Sequence, residues 1–93
     1  MAVGVLRIEL RLLSPHSLKE KRAILRPVKE YLRRNRNVSV AEVGNHDAWQ
    51  SSILEIAMVS GSRRILHREL SAVVDRLEVR FPVTILGQNL EIL

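Results

Sequence analysis

The order in which two hydrophobic periodicities follow one another leaves this chain few folds to adopt. Leu6, Ile8, Leu10 and Leu12 alternate with Arg7, Glu9 and Arg11, the period of a half-buried strand over residues 3–13. Leu18, Leu25, Val28 and Leu32 then recur at helical spacing to about Arg34, with Ile24 and Tyr31 on the flank. "NVSVAEV", residues 37–43, and "QSSILEIAMVS", residues 50–60, read as two strands of a hairpin around the turn residues "GNHDAW". Leu66, Leu70, Val73, Val74 and Leu77 mark a second helix that ends before Pro82. Residues 83–92 form a last strand, kinked or bulged at Gly87.

The resulting order, βαββαβ, is satisfied when two helices cover one face of a four-stranded antiparallel sheet through right-handed crossovers. The expected class is therefore α+β with a ferredoxin-like topology, in a single domain spanning residues 1–93. A chain of 93 residues has room for one core between two layers. At 46% hydrophobic residues it resembles a globular protein and not a disordered tail.

Composition excludes several functions. No apolar run approaches the roughly 18–20 residues of a membrane span. The N-terminal run is interrupted by charges, unlike a signal peptide. Without cysteine there is no disulfide, thiolate metal site or thiol nucleophile, and a cytoplasmic location is expected. His16, His46 and His67 lack metal-ligand spacing, and the glycines Gly44, Gly61 and Gly87 are too scattered to cradle a phosphate. No Ser/His/Asp set assembles, so neither catalysis nor a cofactor is expected. Few aromatics are available, and the two central strands, expected to be the first and third, present Arg7, Glu9, Arg11 and Glu55 outward. A base-stacking platform on the sheet is unlike this pattern. Those charges suit cross-strand pairing or a polar self-association surface.

The charge excess is local. Residues 16–36 hold eight bases (Lys19, Lys21, Arg22, Arg26, Lys29, Arg33, Arg34 and Arg36) against Glu20 and Glu30, a net +6 within a chain of net +5. Ser17 and Glu20 form a capping box at the helix start, yet Lys19, Lys21 and Arg22 occupy first turns where the helix dipole disfavours cations. At 100° per residue, Lys19, Arg22, Arg26, Lys29 and Arg33 fall within an arc of about 80°, and Arg36 extends it. Lys21 falls in the apolar arc and is expected to snorkel past the end of the core. Pro27 is expected to kink this helix without dividing it. A solvated face would mix signs for i, i+4 pairing, whereas a ridge of one sign fits a polyanion. Arg63 and Arg64 open the second helix and are candidates to extend the patch. Asn45, His46, Asp47 and Trp49 form a hairpin tip, with Trp49 either a packing anchor or a partner contact.

"VGVLRIEL", "HSLKEKR", "NVSVAEV" and "DAWQ", in that order and spacing, resemble the bacterial YlxP-like family, small proteins long classed as a domain of unknown function. The resemblance covers nearly the whole chain and implies a ferredoxin-like fold. Family genes often neighbour those for ribosome-binding factor A and translation initiation factor two, which implies a link to ribosome maturation or translation. Ribosomal RNA or the small ribosomal subunit is then the expected partner. The alternative is a module that self-associates through a sheet edge or face. Pro27 departs from the family pattern.

Overall fold

The first strand is the axis of the molecule. In the computed structural model, which describes residues 1–34 and 36–93, β1 (Ala2–Leu12) lies between β3 (Ser51–Ser60) and β4 (Val83–Ile92), and β2 (Ser39–Gly44) completes the antiparallel order β2-β3-β1-β4. This is the expected ferredoxin-like sheet, with β1 and β3 central. Alternation decides the faces: Leu6, Ile8, Leu10 and Leu12 of β1 and Leu54 and Ile56 of β3 are buried beneath the helices. Arg7 and Glu55 face each other on the other side as an ion pair at 3.0 Å.

Helix α1 (Leu18–Arg34) buries Leu25, Val28 and Leu32 in the core. Ser17 Oγ accepts from the Glu20 N–H at 3.1 Å, while the Glu20 carboxylate accepts from the His16 N–H at 3.0 Å, one residue earlier than in the standard box. The helix stays a single element across Pro27. Ala23 and Pro27 are both exposed, so the carbonyl that loses its donor is left to water.

The second helix departs from expectation. α2 (Arg63–Ala72), capped by Ser62 Oγ on the Ile65 N–H, stops well short of Pro82, and α3 (Leu77–Arg80) resumes after Arg76 at φ 69°. The reason is tertiary. Tyr31 of α1 donates its hydroxyl to the Asp75 carbonyl, Phe81 packs edge-on against the Tyr31 ring at 5.5 Å, and the Arg80 guanidinium lies 4.7 Å over it. Val73, Val74 and Leu77 remain buried despite the break, which is why their spacing alone reads as one helix.

β4 carries the expected irregularity. Glu9 pairs with Gly87 and Leu10 with Ile85, so Leu86 is the extra residue of a bulge beside Gly87. At the opposite end of β1, a Cβ built on Gly4 would lie 2.6 Å from Leu70 Cδ1, which shows how closely α2 approaches the strand. α2 packs over β1, β3 and β4, while α1 lies towards the edge strand β2. No helix is long and apolar enough to cross a membrane among the described residues.

Candidate nucleic-acid interface

The cations of α1 and of the residues just after it separate into three groups. Lys21 is the first. It is 2% exposed and does not snorkel to solvent: its ammonium lies 2.9 Å from Glu42 Oε2 and donates to the carbonyls of Asn45 at 2.7 Å and His46 at 3.3 Å. Its three donors are thereby satisfied inside the protein, and Lys21 is withdrawn from any nucleic-acid surface. Glu42 also accepts from Ser52 Oγ at 2.7 Å. Burial pushes the Glu42 carboxyl up. The hydrogen bonds from Lys21 and Ser52, with the charges of Lys21 and His46, outweigh that and hold it below its ordinary value.

The second group is tied to neighbouring elements. Arg36 pairs with Glu69 of α2 at 3.4 Å and is partly buried, so it does not extend the ridge. Arg33 donates Nη2 to the Val40 carbonyl at 3.0 Å, joining the last turn of α1 to edge strand β2. It keeps solvent exposure but has a structural partner.

Of the remaining five, Lys19, Arg22, Arg26 and Lys29 share one arc of the helix. None of them makes an ion pair among the described residues. Arg22, Arg26, Lys29 and Arg33 line a shallow groove that also touches Glu30 and Glu42. Lys19, Arg22 and Arg26 line a second depression with Ala23 and Pro27. The two share Arg22 and Arg26, so the four cations front one continuous strip. Arg34 is exposed, but lies about 100° around the helix from the middle of this strip. Arg63 and Arg64 open α2 beyond Ser60, which pairs with Ala2, at the end of the sheet away from Lys19 and Arg22. They do not prolong the strip.

The hairpin tip lies at the Lys19 end. Lys21 holds it through the carbonyls of Asn45 and His46, and the Gln50 amide donates to the Pro15 carbonyl at 3.4 Å. Leu12 N–H donates to the Gln50 carbonyl at 2.9 Å, and His46 Nε2 lies 3.1 Å from the Glu42 carbonyl. Asn45 adopts φ 60°, which an asparagine tolerates. Trp49 is not a packing anchor here: half of its surface is exposed, and with Asp47 and Gln50 it lines a shallow depression.

Glu42 and Ser52 were not legible as site residues from composition, yet a signal existed. Glu42 is in phase with Val40, the inward-facing valine of β2, and with Val38 just before the strand, as Lys21 is in the apolar arc of α1. Two opposite charges at core positions are the mark of an internal ion pair.

Comparison with known proteins places these features in a lineage. The family described as "Protein of unknown function (DUF503)" matches residues 3–89, almost the entire chain. The chain belongs to this family. Within it, the uncharacterized protein YlxP of Bacillus subtilis (strain 168) is 38% identical over 72 residues, covering 77% of this chain and 78% of the relative. The family shares the fold with at least one unrelated sequence. The de novo designed protein Foldit4 superposes with a TM-score of 0.52 over 96% of each chain, at 14% identity, a likeness of fold alone.

Proposed function

We propose that this protein binds the phosphate backbone of RNA through Lys19, Arg22, Arg26 and Lys29, without chemistry, in the cytoplasm and in service of ribosome maturation or translation. The observation that carries this reading is selective neutralisation. Lys21 on α1 and Arg36 just after it have acidic partners, whereas four cations sharing one arc of α1 have none. Four unpaired cations on one face oppose folding slightly by mutual repulsion, and a polyanion would turn that repulsion into attraction.

The experiment is a salt titration of binding to a structured ribosomal RNA fragment. Four phosphate contacts give a log–log slope of about −3 to −4. Changing Lys19, Arg22, Arg26 and Lys29 to Gln should flatten the slope. Changing Arg34, Arg63, Arg64 and Arg68 to Gln removes the same charge elsewhere and should leave most of it. Equal slopes in the two variants would overturn the proposal.

A second reading rests on the uncovered sheet face. There Val3, Val5, Ile53 and Val59, the last 59% exposed, surround the Arg7–Glu55 pair. Glu9, Arg11 and Glu91 share that face, and apolar residues set among charges of both signs can meet their counterparts on a second copy under a two-fold axis, as an isologous dimer requires. Light scattering across a concentration series tests it: Val59→Lys should lower the apparent mass of a dimer, and a monomer at every concentration sets it aside.

A further inference from the structure

We infer that Trp49 is a stacking seat for an unpaired base, so that the strip on α1 takes single-stranded RNA or the single-stranded part of a folded one. This rests on the phosphate-binding reading above and specifies its ligand.

A tryptophan in a domain this small would ordinarily be spent on the core, where it removes the largest apolar area from water. Trp49, the sole tryptophan, is half exposed instead, and its loop is held from several directions. Lys21 takes the carbonyls of Asn45 and His46, Gln50 joins the Pro15 and Leu12 backbone, and the Ala48 N–H donates to the Asn45 carbonyl at 3.1 Å. An exposed aromatic ring on a tethered loop is preorganised, so a ligand that covers it does not have to order the loop.

Two further observations select a base as that ligand. Lys21 and Gln50 tie the tip to the first turns of α1 and to the segment just before it, so the loop that carries Trp49 lies at the N-terminal end of the helix, the end at which Lys19 and Arg22 begin the strip. Asp47 lines the depression beside the Trp49 ring. Its carboxylate repels a phosphate and accepts hydrogen bonds only, the chemistry suited to the exocyclic amino group of cytosine, adenine or guanine. Backbone charge therefore belongs on the helix and a base on the hairpin. Every base offers a ring face to an indole, but only an unpaired one can leave its neighbours to use it.

The lone tryptophan reports on its own occupancy. Protein is titrated with a short oligoribocytidine and with a duplex of equal length, following Trp49 emission and, separately, binding by anisotropy of a labelled strand. The expected result is quenching by the single strand and little change with the duplex. Trp49→Ala should weaken single-strand binding by about fivefold or more, with duplex binding and the salt slope preserved. Trp49→Phe, which keeps an aromatic face and the fold, should retain most of the affinity. Salt-dependent binding of the single strand with Trp49 emission unmoved, or with Trp49→Ala as tight as wild type, overturns this inference and leaves the phosphate reading standing. Failure to bind either nucleic acid overturns that reading itself.

Discussion

The ammonium of Lys21 on α1 lies 2.9 Å from a carboxylate oxygen of Glu42 on β2, and the same ammonium caps two carbonyls of the following turn. One side chain thus joins helix, edge strand and hairpin. Removing it strands a mostly buried carboxylate and two acceptors. Lys21→Met should lower stability by about 2–4 kcal/mol, towards the low side for a buried pair because Glu42 retains some solvent contact. The further change Glu42→Leu should restore part of that loss. Urea unfolding of the two variants measures both effects.

Acid should weaken the fold through Glu42. Its folded-state carboxyl titrates below the ordinary value of 4.5, so in that window the unfolded chain binds more protons than the native one. The stabilisation is complete above the unfolded value and is lost as pH falls through the native one. Glu42→Gln should be less stable at neutral pH but should decline less steeply in acid. Urea midpoints taken from about pH 6 to about pH 3 compare the two slopes.

Two glycines should respond oppositely to alanine. A methyl on Gly4 would meet Leu70 Cδ1 at 2.6 Å, with Leu66 atoms at 3.5 and 3.6 Å restricting the escape of that leucine. Gly4→Ala should cost about 1–3 kcal/mol by overpacking. Gly61 has nothing within 4 Å and no positive φ, so Gly61→Ala should be neutral or stabilise by up to about 1 kcal/mol. Thermal melts of the pair suffice.

Arg76 offers a stabilising change. At φ 69° it bears the left-handed backbone between α2 and α3, which costs a residue with a Cβ about 1 kcal/mol or more. Arg76→Gly should raise stability by about 0.5–1 kcal/mol once the added freedom of the unfolded chain is deducted. A higher urea midpoint with unchanged slope is the expected reading.

The sheet was legible because Leu6 to Leu12 and Leu54 to Ile56 alternate without interruption, and alternation sets both strand and face. The Ser17 cap was legible because a cap is local chemistry. The break after Ala72 was not, since Arg76 is no glycine or asparagine and the apolar spacing runs straight through. The Tyr31 hydroxyl that holds the Asp75 carbonyl at the break lies far away in sequence. The candidate site shows the same division. The arc from Lys19 to Lys29 follows from helix geometry, but the partners that remove Lys21 and Arg36 come from β2 and α2. Trp49 could not be assigned between anchor and exposed contact, because exposure depends on how tightly the hairpin is held against α1.

The position of β1 between β3 and β4 has a consequence for synthesis. β1 receives one neighbour from residues 51–60 and the other only from residues 83–92. A chain that has emerged up to α3 has its longest strand paired along one side and bare along the other. Until β4 is released, that bare edge is free to recruit a strand from another nascent copy, and rapid docking of β4 is what closes the opportunity.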